Sequence, residues 1–332
     1  MIKEKILITG ANGFIGTFLV EEALKRGLEV YAAIRKNSNI SSIKDLNITF
    51  LEFDYMDVNQ MSSFFTKYQF TYVIHNAGVT KSPDPGEYLR VNRDYLINVI
   101  EAIRKSGITL KKFLFVSSLA ATGPADFQKN GILSQDVIPY PVTYYGKSKL
   151  EAEIYLTQQR DIPFLIIRPT AVYGPGEKDL LNVFQMINRR IELNAGFLPQ
   201  HLTFIYVKDL ARLMILAIFS PYKHKAYFAT DGHVYTGDAF SGFIRESLNK
   251  RTFKIRLPIP VIKLVAFVSE KAAGIWDSYP PLNIDKVNEI KARNWKCDVL
   301  DLETELEFKA EYDLTKGIPE TVQWYKDNKW LR

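Results

Sequence analysis

Lys5-Ile6-Leu7-Ile8-Thr9-Gly10-Ala11-Asn12-Gly13-Phe14-Ile15-Gly16 is the stretch whose reading decides the fold. A short apolar run ends in a turn punctuated by three glycines. An amphipathic pattern follows at once, with Ile15, Leu19 and Ala23 at i, i+4, i+8, and Gly27 closes it. In a strand–turn–helix context a glycine triplet has a specific physical use. The tight turn needs backbone angles that only glycine adopts cheaply. Without a Cβ, a pyrophosphate can approach the backbone, and the last glycine lets the helix pack close to the sheet. The helix N-terminus then turns unpaired N–H groups and a positive dipole end toward the phosphates. A dinucleotide site is therefore expected at Gly10, Asn12, Gly13, Phe14, Ile15 and Gly16.

Outward from this loop, short apolar runs alternate with amphipathic stretches. Strands are expected over 29–34, 48–53, 72–75, 112–117 and 164–168, with helices over about 85–105 and 143–160. Strands that are apolar throughout, separated by helices, predict a parallel sheet covered on both faces. The fold class is α/β, a Rossmann-type doubly wound sheet with a smaller, mostly helical C-terminal lobe. After Pro169 the pattern loosens, but a helix over 210–219 and a strand over 226–229 return. Residues 232 to about 313 read as irregular chain with short helices. The expected division is 1–173 plus about 203–231 for the dinucleotide domain. About 174–202 plus 232–332 would form the substrate lobe and closing helix.

Composition narrows the function. The net charge is +6 with no run of five basic residues, which argues against nucleic acid as a partner. A single cysteine, Cys297, cannot form an internal disulfide, so a reducing, cytoplasmic setting is expected. The apolar run after Met1 is too short for a signal peptide, and no window has the ~18 apolar residues of a spanning helix. The four histidines, His75, His201, His224 and His233, lack ligand spacing, so no metal is expected. The partner expected is a small-molecule substrate.

The second strand ends Ala32-Ala33-Ile34-Arg35-Lys36. An acid here would bind the adenosine ribose hydroxyls and repel a 2′-phosphate. Two cations stand there instead, and Arg35 can pair bidentately with a phosphate. NADP is the expected cofactor, with NAD possible. Farther along, Tyr145 and Lys149 lie on one helix face at i, i+4. A phenol titrates near ~10, and a neighbouring ammonium is expected to lower that value. Tyr144 has Ser148 as its i+4 partner and lacks the cation. Ser117-Ser118, at the end of the fifth strand, precede the tyrosine by 27 residues counted from Ser118.

Together these motifs resemble the short-chain dehydrogenase/reductase superfamily, in its extended, NAD(P)-dependent epimerase/dehydratase branch. The likeness lies in Thr9-Gly10-x-x-Gly13-Phe14-Ile15-Gly16, in Tyr145-x-x-x-Lys149, and in Arg168-Pro169-Thr170-Ala171-Val172-Tyr173-Gly174-Pro175-Gly176. It continues through Phe204–Ala211 to Trp324-Tyr325 and Trp330-Leu331. The resemblance implies Ser118 as the substrate anchor, counted back from Thr122-Gly123, where the branch carries Tyr-Gly. It implies Asp54 at the adenine with Tyr55 beside it, and Asn76, Ala77 and Gly78 beside the ribose. Pro169 and Val172 would flank the nicotinamide, and Lys149 would also bind its ribose. A homodimer through two helices of the dinucleotide domain, one of them carrying Tyr145, is implied as well.

The resemblance also weighs the reactions. Dehydratases of the branch carry Asp-Glu directly after the catalytic Ser or Thr, and Leu119-Ala120 stand here. Sugar epimerases carry an Asn after the arginine of the sixth strand, where this chain has Pro169-Thr170-Ala171. The apolar stretch Pro258–Val268, followed by Pro280-Pro281-Leu282-Asn283, is similar to the hydroxysteroid-dehydrogenase and dihydroflavonol-reductase members. It reads first as a lobe helix packed on the core, and otherwise as a substrate wall or membrane-surface contact. The expected reaction interconverts a secondary alcohol and a ketone, with Tyr145 as general acid, Lys149 as its electrostatic partner and Ser118 as anchor. A nucleotide-sugar epimerase is the alternative. A non-catalytic dinucleotide-binding scaffold is the second, and the intact Ser, Tyr and Lys argue against it.

Overall fold

The computed structural model describes residues 3–129, 131–276 and 283–331. The chain begins with β1 (Lys5–Thr9), α1 (Phe14–Lys25) and β2 (Glu29–Ile34). β3 (Thr49–Glu52), α2 (Val58–Tyr68) and β4 (Tyr72–His75) follow. Next come α3 (Pro85–Leu89) and α4 (Tyr95–Ser106), joined by a π turn over Arg90–Asp94. Periodicity predicts one unbroken helix there, and the π turn interrupts it. The physical reason is Asn92, which is fully buried in that turn. Its Nδ2 donates to the Val79 carbonyl at 3.0 Å and to Ser148 Oγ at 2.9 Å, and its Oδ1 accepts the Val79 N–H at 2.9 Å. A π turn at such a place trades helix regularity for an inward polar side chain.

β5 (Lys112–Val116), α5 (Leu119–Thr122), α6 (Tyr144–Thr157) and β6 (Phe164–Pro169) carry the chain to the far side of the sheet. Beyond them lie β7 (Ala171–Tyr173), α7 (Leu181–Asn188), β8 (Ile191–Ala195), β9 (Phe204–Tyr206), α8 (Val207–Phe219) and β10 (Lys225–Ala229). The chain closes with α9 (Gly237–Ser247), β11 (Phe253–Leu257), α10 (Ile259–Trp276), α11 (Ile284–Lys291), α12 (Leu300–Glu305) and α13 (Leu314–Asp327).

A seven-stranded parallel sheet in the order β10-β6-β5-β4-β1-β2-β3 organises the molecule. β4 and β5 are buried along their whole length, as strands covered on both faces must be. One face packs against α1 and α8, and Leu302, Leu306 and Phe308 from the C-terminal region join that core. The other face packs against α2, α4 and α6. A third cluster joins Tyr173 and Tyr206 to Phe184, Phe240 and residues of α13.

The stretch after residue 232 is more regular than its sequence suggests. α10 runs for 18 residues, and β11 pairs in parallel with β8 in a separate two-stranded sheet. The sequence pattern misses that sheet because its two strands are far apart in the chain. The Pro280-Pro281-Leu282 part of the resemblance lies outside the described residues.

One late segment stitches distant parts together. Asn294 Nδ2 donates to the carbonyls of Asp126 and Gly131 at 3.1 and 2.8 Å, and its own carbonyl accepts the Ala125 N–H at 2.8 Å. Arg293 accepts the His201 N–H at 2.7 Å, and Lys296 accepts the Leu133 N–H at 2.9 Å.

Candidate active site

β1 and β4 are neighbours in the centre of the sheet, and the strand order reverses between them. In doubly wound sheets ligands bind at the carboxyl ends of the strands flanking such a point. The carboxyl end of β1 is Thr9, and Gly10 follows with φ 65°. A Cβ on Gly10 would lie 3.0 Å from the Ala77 backbone. A Cβ on Gly16 would lie 2.0 Å from the Gly10 carbonyl oxygen, so α1 touches the loop backbone to backbone. Gly13 starts α1 with no side-chain cap, which leaves the first helical N–H groups without a side-chain acceptor. An anion suits that position, so the residues present fit a dinucleotide pyrophosphate.

The other loop residues divide by orientation. Asn12 Nδ2 donates to the Asn39 carbonyl at 3.0 Å and ties the loop to the segment after β2. Asn76 Nδ2 donates to the Gly10 carbonyl at 3.3 Å. Ile15 packs into the core beneath the sheet, and Phe14 stands edge-on to Phe18. Arg35 is exposed just beyond β2. Asp54 is exposed and accepts the Met56 N–H at 2.9 Å, while Asp57 is the residue that caps α2. Tyr55 is buried and stacks on Tyr95 with ring centres 4.8 Å apart, so its ring belongs to the core. Pro169 ends β6, and Val172, in the middle of β7, packs against the core.

Under the loop runs a polar line that sequence reasoning missed. Thr9 Oγ1 accepts the N–H groups of Asn76 and Ala77 at 3.1 and 3.0 Å and lies 3.0 Å from His75 Nδ1. Burial, with the Lys149 charge added, pushes His75 down to about 3, so the ring is neutral. Its Nε2 has no hydrogen-bond partner.

Thr143 caps α6 by accepting the Gly146 N–H at 3.0 Å. A Cβ on Gly146 would lie 2.3 Å from the Ala120 carbonyl oxygen, so α6 and α5 meet without intervening side chain. Ser118 lies near enough to the Tyr145 phenol to oppose the rise in its pKa. Ser118 Oγ also accepts the Ala120 N–H at 3.1 Å. Ser117 faces elsewhere and donates to the buried Glu153 at 2.5 Å. Tyr144 is exposed, and its N–H is held by Asp285.

Lys149 is buried beneath Tyr145, and its Nζ donates to the Val116 carbonyl at 2.8 Å. Gly78 leaves room for it, since a Cβ there would stand 3.2 Å from Nζ. Burial lowers Lys149 to about 8, against the pull of Glu153. Tyr145 corrects an expectation. Its phenol is not lowered but pushed up to about 12 by burial, with Glu289 and Asp179 adding to the rise and Ser118 opposing it. Burial is the main cause, and the charges of Glu289 and Asp179 add to it, so the neutral form wins. Neither carboxylate carries a sequence signal that links it to the tyrosine.

Among the described residues no cluster of His, Cys, Asp and Glu could hold a metal. None of the described helices is long and apolar enough to cross a membrane. Burial pushes the Cys297 thiol up to about 12, which leaves it unreactive as a thiolate.

A Rossmann sheet with a glycine cradle at its switch point and an adjacent Ser-Tyr-Lys group defines an enzyme that works with a nicotinamide dinucleotide. The chain matches the model of the NAD dependent epimerase/dehydratase family over residues 6–228, and it belongs to that family. It is 27% identical to a UDP-glucose 4-epimerase of Vibrio cholerae over 88% of this chain and 90% of that protein. It is 25% identical to a ceramide reductase of Caulobacter vibrioides over 98% of this chain and 96% of that protein. Its fold is similar to that of Thermus thermophilus UDP-glucose 4-epimerase in complex with NAD. The TM-score is 0.77 and the identity 21%, over 97% of this chain and 99% of the other.

Proposed function

We propose that the chain catalyses reversible hydride transfer at a secondary alcohol, and that it does so as an epimerase of a nucleotide-linked sugar. The neighbouring Ser118 and Tyr145, with Lys149 buried one helical turn below, carry the chemistry. The bound dinucleotide supplies the hydride acceptor and donor. Ser118 Oγ holds the substrate oxygen. Tyr145 Oη takes the proton of the alcohol in oxidation and returns it in reduction. Lys149 Nζ favours the phenolate when charged and holds the nicotinamide ribose. The Gly10–Gly16 loop holds the pyrophosphate.

Epimerisation runs these steps once in each direction, with the intermediate presenting opposite faces. The likeness to the Vibrio cholerae epimerase supports this substrate class. A second reading, a ketone reductase acting on an apolar substrate, is favoured by Pro169-Thr170-Ala171 in place of the epimerase asparagine and by the ceramide reductase likeness. Incubation of the purified chain with UDP-sugars separates the two. An epimerase interconverts the sugars with no net change in nicotinamide absorbance. Stoichiometric consumption of reduced cofactor on a ketone, without sugar interconversion, would overturn the epimerase reading.

A further inference from the structure

Over residues 259–270, α10 buries a narrow strip. Ile262 and Ala266 pack against Val287 of α11. Val261, Leu264, Val265 and Val268, at i, i+3, i+4 and i+7, stand on the opposite face and are 42–63% exposed. An amphipathic surface helix turns its apolar stripe inward, and this one shows a second stripe to the outside. The small sheet meets the buried strip of α10. Leu257 and Ala195, a register pair, pack beside α10. By strand alternation Phe253, Ile191 and Leu193 share that sheet face, and all three are exposed.

The stretch that carries this face is basic, with Glu192, Asp238 and Glu270 at its edges. Residues 250–268 contain Lys250, Arg251, Lys254, Arg256 and Lys263 and no Asp or Glu, in a chain whose net charge is +6. Lys254 pairs with Glu192, and Arg256 with Asp238. Lys250, Arg251 and Lys263 take no ion pair among the described residues. Lys263 lies within the apolar helix itself.

We propose that this face docks on the surface of an anionic lipid bilayer. An apolar helix face flanked by Lys and Arg is what a headgroup–acyl boundary accepts. Lysine stems lie along apolar surface while their ammonium groups reach the headgroups. A protein partner suits the face less well, because the cores of protein interfaces are depleted of lysine. α11 links the face to the site: Asp285 holds the Tyr144 N–H, and the Glu289 charge acts on Tyr145.

Co-sedimentation of the full chain with vesicles tests this. Binding is expected to vesicles of phosphatidylcholine mixed with phosphatidylglycerol, to be weaker with phosphatidylcholine alone, and to fall as salt rises. The double variant Arg251→Glu/Lys263→Glu should weaken binding by at least about fivefold per residue changed. Leu264→Gln/Val265→Gln should weaken it at every salt concentration. These exposed positions should leave the thermal transition and cofactor binding unchanged. No binding to either vesicle, or equal binding by the variants, overturns the proposal. So does a concentration-dependent dimer that Leu264→Gln/Val265→Gln converts to monomer, since the face would then belong to a second copy.

Discussion

Tyr145, Lys149 and His75 are all buried, and burial shifts each toward its neutral form; Tyr145 and His75 are neutral at pH 7, while Lys149, at about 8, keeps its charge. Tyr145 therefore rests as the neutral phenol, the proton donor of the reduction step, and the oxidation step needs the phenolate that a charged Lys149 favours. Tyr145→Phe removes the donor and keeps the ring, so kcat should fall by roughly 10²–10⁴-fold, with cofactor affinity held within about twofold. Turnover and a cofactor titration on the same preparation check this. Arg35, exposed beyond β2, is expected to select NADP by its pairing with a 2′-phosphate. Arg35→Ala should weaken NADP binding about tenfold or more and leave NAD within about twofold, read from dissociation constants. Wild-type affinity for NAD equal to that for NADP would contradict it. His75 makes a stability prediction. Its folded value, about 3, lies below the ordinary 6.5, so between them the unfolded chain binds a proton that the folded chain refuses. Stability must then fall as pH drops through that window, by up to about 1.4 kcal/mol per pH unit from this group. His75→Leu should lose that part of the slope in denaturant titrations at several pH values.

At the scale of elements, what was legible in the sequence was what is local. The Gly10–Gly16 loop sits between a strand and its helix, and Tyr145 and Lys149 share one helix, so spacing alone places them. Ser118 meets Tyr145 only because Gly146 lets α6 close on Ala120, a contact no periodicity reveals. The rise in the Tyr145 pKa was hidden for the same reason: it comes from burial in the folded chain, with smaller contributions from carboxylates in the segment after β7 and in α11. The π turn was hidden because Asn92 looks like an ordinary helical residue until Val79 and Ser148 appear beside it. Asn92→Ala should remove three hydrogen bonds and leave the partly buried Val79 N–H and carbonyl without their side-chain partner. A loss of roughly 2–4 kcal/mol in unfolding free energy is expected, and retention of full stability would show that the turn does not depend on its asparagine.

Across the whole molecule, α13 fastens the lobe. Tyr325 Oη donates to the Glu177 carbonyl at 2.7 Å, and Tyr173 Oη donates to the Asp313 carbonyl at 2.9 Å. Gly317 passes so close that a Cβ would stand 2.3 Å from Tyr173 Oη. Gly317→Ala should push α13 off β7 and cost about 1–3 kcal/mol, measured by chemical unfolding. The seven-stranded architecture was legible from apolar runs alternating with amphipathic stretches. The β8–β11 sheet was not, since each strand finds its partner only after the chain has folded back.

The stitching by Asn294 has a consequence for the order in which the protein comes into being. A ribosome delivers Asp126, Gly131 and Leu133 long before their partners Asn294 and Lys296. Leu302, Leu306 and Phe308, which finish the core beneath β1, emerge later still. About nine-tenths of the chain must be synthesised before either is complete. Through most of its translation the nascent protein carries an open apolar floor and untied carbonyls, the condition in which growing chains recruit chaperones or aggregate.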